Sequence, residues 1–227
     1  MRTSYDSSAS NQPFPLGVPG AIEPDWDGSC QAGRVLPDAK DDLSRYLQQG
    51  RDGVLWKLDG LGEHDIRRPL TPTGTNLLGL VNHLASNESG YFGKVFERPF
   101  PEGLTRLDPD AEPDADMWAT AEESRTEITD LYRRTWAHSD ATIAARPLDS
   151  PGRVPWWSPQ TRSVTLHRIL IHVATETHRH AGHADIVREL VDGRTGLRAD
   201  RSTLPGLDDG RLSSHRSQVQ AAADRFR

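Results

Sequence analysis

The sequence predicts an all-α fold, a four-helix bundle with a long crossover, and three observations carry that prediction. Four stretches repeat apolar residues at helical spacing. None alternates convincingly with the two-residue period of a half-buried strand. The connections between them carry the Pro, Gly and Asp that stop helices. The chain has 227 residues, 35% of them apolar and 26% charged, with a mean hydropathy of -0.66. That is material for one core and long polar stretches besides, hence one domain with tails.

Residues 1–36 are rich in Pro, Gly, Ser and Asp and are expected to form a flexible or extended N-terminal arm. Residues 37–227 are expected to hold the bundle and a C-terminal tail. The first helix begins after Asp38, a side chain suited to an N-cap, and carries Leu43, Leu47, Val54, Leu55 and Leu58 before Gly60 and Gly62 end it. "RRPLTPTGTN" is a loop. The second helix, 75–97, has Leu77, Leu80, Leu84, Tyr91 and Val95 as its stripe. "RPFPEGLTRLDPDAEPDAD" is the crossover. The third helix is expected over 115–138, capped by Asp114 and bearing Met117, Trp118, Ala121, Ile128, Leu131, Tyr132 and Trp136. The loop "LDSPGRVPWWSPQTRS" follows. The fourth and longest helix, 163–192, stops at Gly193, and a short polar helix is expected over 214–225.

Charge and composition exclude several roles. A formal net charge of -6 leaves no basic footprint for nucleic acid. The single cysteine, Cys30, can form neither an internal disulfide nor a Cys-rich zinc site, as expected of a reducing cytoplasm. No apolar run approaches the ~20 residues of a membrane span, and the N-terminus lacks the apolar core of a signal peptide. Lysine occurs only at Lys40, Lys57 and Lys94, so the basic residues are nearly all arginine, as in a GC-rich coding sequence.

The fourth helix contains the anomaly, "HVATETHRHAGHADIVREL", from His172 to Leu190. At about 100° per residue, Glu176 and His180 fall inside the apolar stripe of Leu166, Ile169, Val173, Ala184 and Val187. A lone carboxylate there costs several kcal/mol unless it is compensated. Three accounts compete: a satisfied Glu–His pair, acid–base catalysis without metal, or a divalent cation held by residues four apart that point at one spot. His83 on the second helix flanks its stripe. With Glu176 and His180 it completes two imidazoles and one carboxylate, a set that leaves coordination positions open. His183 and His172 lie close enough in angle to support or replace a ligand. His178 falls on the opposite face, and His64, His138 and His215 read as solvent-facing or loop residues. Trp156 and Trp157 either cover a pocket or pack a loop onto the bundle end. Arg67, Arg68 and Arg179 either meet an anionic group or are surface charge.

"LTPTGTNLLGLVNHLA", "AEPDADMWAT", "VPWW" and "ETHRHAGHADIVRELVDG" together resemble the DinB superfamily, and most of all its DUF664 branch, over residues 38–226. The resemblance implies an up-down-down-up bundle and a metal site of one helix-two histidine with a His-x-x-x-His pair on helix four. His83 matches the first of these and His180 the last. Glu176 takes the middle place, as a glutamate does in the mycothiol-dependent maleylpyruvate isomerase branch. The implied activity is that of a metal-dependent thiol transferase or isomerase. A divalent metal, zinc first with iron or nickel as alternatives, would activate a low-molecular-weight thiol for attack on a small electrophile. The arginine-heavy composition points to mycothiol as that thiol. On this reading His83, Glu176 and His180 are metal ligands, His183 and His172 are catalytic, Arg179, Trp156 and Trp157 bind the thiol cofactor, and the chain forms a homodimer. Two other readings stay open: a non-catalytic metal-binding or stress-response bundle, and a non-haem Fe(II) enzyme.

Overall fold

The computed structural model describes residues 38–104, 111–200 and 209–227. The expected N-terminal arm and Cys30 lie outside the described residues. Two compact units divide the chain. One spans Gln31–Thr203 and holds the bundle, and the other includes the C-terminal segment. In the latter lies a polar helix, Asp209–Asp224, which starts earlier than the sequence suggested.

Within the bundle unit, α1 is Ala39–Leu55, with the Asp38 carboxylate accepting from the Lys40 amide at 3.3 Å. A short α2, Glu63–Arg67, was not foreseen. Next comes α3, Leu77–Glu88, capped by Asn76, whose side-chain oxygen accepts from Gly79 N at 2.7 Å. Its winding continues through a π turn, Ser89–Gly93, and a 3₁₀ turn, Lys94–Phe96. These are followed by α4, Arg125–Ala145, and by two short antiparallel strands, β1 Pro151–Arg153 and β2 Ser163–Thr165, with Pro151 opposite Thr165. The strands close a hairpin where the sequence suggested only loop. Last in this unit is α5, Leu166–Asp192, ended by Gly193 at φ 78°, a left-handed stop that favours glycine.

The third helix differs most from expectation. It starts ten residues late, at Arg125 rather than 115. Asp114 has φ 60°, a left-handed turn geometry incompatible with an N-cap. The cap is instead Ser124, which forms a capping box with Glu127. Local capping chemistry outweighed the apolar spacing of Met117, Trp118 and Ala121. Trp118 is in fact 55% exposed.

The core consists of two apolar clusters, and the order in which each helix visits them sets the topology. One cluster joins Val54, Leu78, Leu84, Ile128, Tyr132, Ala181 and Val187. The other joins Leu47, Phe92, Phe96, Ile143, Val154, Leu170 and Val173. Along the chain, α1 and α5 pass from the second cluster to the first, whereas α3 and α4 pass from the first to the second. The arrangement is therefore up-down-down-up. The parallel pair α3 and α4 requires the crossover that the sequence indicated.

Between the clusters lies a layer of buried polar groups. α1 contributes Arg51, α3 and its π turn Ser86, Glu88 and Ser89, α4 Thr135 and Ser139, and α5 Thr177 and His180. Among the described residues no helix is long and apolar enough to cross a membrane.

Candidate functional site

The site is built where the crossover returns over α3. Residues 114–118 form a strap across that helix. A Cβ on Gly79 would stand 1.8 Å from the Met117 carbonyl oxygen, so only glycine lets the strap approach. Asn76 Nδ2 donates to the Met117 carbonyl at 3.2 Å, and Asn82 Nδ2 to the Trp118 carbonyl at 3.1 Å. The Asn76 cap and the first two turns of α3 thus hold the strap, and the strap places Asp116 Oδ2 2.7 Å from His83 Nδ1. Asp116 escaped the sequence reading because 115–138 was expected to be helix. The one available signal was its place in the "AEPDADMWAT" stretch.

His83 meets α5 through His180, ring edge against ring face, with centroids 4.8 Å apart. His180 is 8% exposed. Burial, followed by the neighbouring His83, His183 and Arg179, pushes its pKa down to about 4, while Asp116 opposes the shift. It is therefore a neutral imidazole at pH 7, with a lone pair to offer. Its Nε2 lies 3.6 Å from Glu176 Oε2, and its Nδ1 lies 3.4 Å from His183 Nδ1. His83, Glu176 and His183 all gather around His180.

Glu176 is not in the middle of the buried stripe. Its side chain is 26% exposed, at the rim of the buried arc. The arc is broader than apolar residues alone suggested, because Ala174, Thr177, Ala181 and Arg188 are buried on its far side. Small and hydrogen-bonded side chains let α1 approach there. Thr177 Oγ1 donates to the Val173 carbonyl at 2.8 Å, and a Cβ on Gly50 would stand 2.9 Å from the Thr177 methyl. His178, expected in solvent, is half-buried in this contact, with Nε2 2.9 Å from the Tyr46 carbonyl. His138 is also half-buried, edge-on to Phe100 at 5.5 Å. No hydrogen bond ties the Glu176 carboxylate among the described residues. Its contacts are His180 at 3.6 Å and Arg179 at 3.8 Å.

A cleft of about 360 Å³ opens beside His83 and Asp116. Asn87, Tyr91, Lys94 and Trp156 also line it. Trp156 is 50% exposed, whereas Trp157 is half-buried. Both indole Nε1 groups donate to the Tyr91 hydroxyl, at 3.3 and 3.1 Å. Gly90, in the π turn, leaves room for the Trp156 ring, since a Cβ there would stand 3.3 Å from it. Tyr91 and Lys94 were absent from the sequence-level site because the π turn and the 3₁₀ turn that carry them have no periodic signature.

The remaining expected residues separate. His172 is held in an aromatic box, with ring centroids 4.7 Å from Tyr91 and 5.1 Å from Trp157. Burial lowers its pKa against the opposing charge of Glu176. Arg179 points outward, with 65% of its side chain exposed. Arg67 braces the chain by donating to the carbonyls of Thr120 and Glu123, and Arg68 pairs with Asp65 at 3.1 Å, so neither faces the cleft. Among the described residues, no three His, Cys, Asp or Glu side chains are close enough together to hold a metal ion as they stand. The donor set suits one chemically: a neutral imidazole at His180, the His83 ring backed by a carboxylate, and a carboxylate at Glu176 that no hydrogen bond restrains among the described residues.

No curated protein matches the chain. A solved structure, a conserved protein from Enterococcus faecalis, aligns with a TM-score of 0.56 at 16% identity, covering 70% of this chain and 100% of that one. That likeness speaks for the fold. The model of the mycothiol-S-transferase family matches residues 42–193, more than half of the sequence, and the chain belongs to that DinB-like family.

Proposed function

We propose that the protein transfers a low-molecular-weight thiol, mycothiol, to a small electrophile at the cleft beside His83, and that His83, Glu176 and His180 hold a divalent metal there. The observation that carries this reading is the position of His180, in contact with His83 on one side and Glu176 on the other. No hydrogen bond among the described residues restrains the Glu176 carboxylate, which leaves its side chain free to turn beside His180. Zinc is the simplest occupant, and iron or nickel would suit the same donors. When bound, such an ion lowers the pKa of a coordinated thiol and so supplies the thiolate nucleophile at neutral pH.

The protein's own groups do the rest. Three protein donors leave positions open for the thiol. His183, exposed and one turn from His180, accepts the thiol proton. The sulfur pair then forms a C–S bond to the electrophilic carbon, and the leaving group departs with its own electron pair. Trp156 offers the exposed face of its indole to the sugar rings of mycothiol, with Trp157 fixing its loop through the shared Tyr91 hydroxyl. His172, kept neutral by burial and one turn from Glu176, is available as a second proton acceptor, and Arg179 meets polar groups that extend beyond the cleft.

The test is metal analysis of protein purified without a His-tag, followed by incubation with mycothiol and a panel of electrophiles. The expected result is about one zinc per chain and metal-dependent loss of free thiol. Stoichiometric metal with no thiol consumed across the panel would overturn the transferase reading and leave a metal-binding bundle. Stoichiometric iron with oxygen uptake would replace it with an Fe(II) enzyme.

A further inference from the structure

We infer that Asp116 is a positioning residue that holds His83 as the Nδ1–H tautomer and so keeps the Nε2 lone pair free for the site. An ionised carboxylate can only accept, so the 2.7 Å contact between Asp116 Oδ2 and His83 Nδ1 places the proton on Nδ1. The other ring nitrogen is then the only one able to act as a ligand or base.

The strap does not need this contact to stay in place. Its Met117 and Trp118 carbonyls are already held by Asn76 and Asn82, and its backbone rests against Gly79. Nor is the pair a buried ion pair of the structural kind. The His83 and Asp116 side chains are 24% and 20% exposed and share the wall of the cleft. Water is available to both, yet the carboxylate is spent on the ring. A histidine that ligates a metal is oriented in the same way by a partner on its second nitrogen. The inference rests on the reading of His83 as a ligand, but the tautomer can be read without any metal.

The experiment is long-range ¹H–¹⁵N NMR of the full chain labelled at histidine, kept in chelator. His83 is identified by the resonance lost in His83→Asn. Zinc affinity is measured separately by competition with a chromophoric chelator. In the wild type His83 is expected to carry its proton on Nδ1. In Asp116→Ala the tautomers should mix and zinc affinity should fall about 10- to 100-fold. In Asp116→Asn, whose amide oxygen still accepts, the Nδ1–H tautomer should persist and the loss should be smaller. A wild-type His83 protonated on Nε2 overturns the inference whether or not any variant folds. So does a folded Asp116→Ala with unchanged tautomer and zinc affinity. If the wild type takes up no zinc, the metal reading falls, and the tautomer of the metal-free protein still decides the role of Asp116.

Discussion

Two glutamates, one inside the buried polar layer of this bundle and one at its rim, have opposite surroundings. Glu88 is 0% exposed and clamped by Arg51, Nε to Oε1 at 3.0 Å and Nη2 to Oε2 at 2.7 Å. Arg51 also reaches Gln48 at 3.0 Å and Asp140 at 2.8 Å. Burial works against its charge, but Glu88 and Asp140 outweigh burial and hold Arg51 protonated. Glu176 is 26% exposed, and its contacts with cations or imidazoles are 3.6 Å or longer. A carboxylate whose oxygens are both taken by a buried guanidinium is part of the structure. One at the rim of the buried arc, whose oxygens no hydrogen bond claims among the described residues, is available for chemistry.

The comparison breaks first at Glu88. Glu88→Ala leaves a buried guanidinium with one carboxylate fewer, and should cost about 3–5 kcal/mol in chemical denaturation. A loss under about 1 kcal/mol would mean that Asp140 and Gln48 satisfy Arg51 alone.

Acid titration should give the next largest effect. The folded pKa of His180 is about 4, against 6.5 for an ordinary histidine. Above pH 6.5 neither state is protonated and nothing is lost. As the pH falls toward 4 the unfolded chain takes up the proton first, so stability falls with pH, by about 3 kcal/mol for this group in metal-free protein. His172 and His138, both lowered by burial, act in the same direction. His180→Asn should flatten the stability profile between pH 6.5 and 4.5 in chelator, and a parallel profile would show that the acid sensitivity resides elsewhere.

At Glu176 stability and function should separate. Glu176→Gln should change stability by no more than about 1 kcal/mol, since its charged contacts are long and partly in water. Zinc affinity should nonetheless fall more than about tenfold, because an amide is a far poorer ligand. Wild-type zinc affinity in this variant would remove Glu176 from the site. Arg179→Ala should do least, within about 0.5 kcal/mol in denaturation, and would sharpen the contrast by showing that the long contact to Glu176 is not a second Arg51 clamp.

Helical periodicity and capping residues made most of the fold legible. The Asp38 cap, the Gly193 stop and the crossover demanded by "RPFPEGLTRLDPDAEPDAD" all follow from local chemistry. The candidate site was legible where its residues share a helix, because a spacing of four is a fixed geometry. Thus Glu176 and His180 could be paired from the sequence, and His83 singled out by its place beside an apolar stripe. The residues that aim His83 and line the cleft were not legible. Asp116 arrives on a strap that is neither helix nor strand, and Tyr91 and Lys94 reach the cleft from a π turn and the 3₁₀ turn after it.

By itself, the order of residues determined which segments wind into helices, where they stop, and which ionisable groups cannot all face water. These are short-range matters of backbone angle and side-chain spacing. Only the tertiary structure decided that Glu88 is neutralised by an arginine while Glu176 lies at the rim beside His180. That choice depends on what packs opposite, and the partners, Arg51 in one case and His83 with its strap in the other, lie far away in the chain.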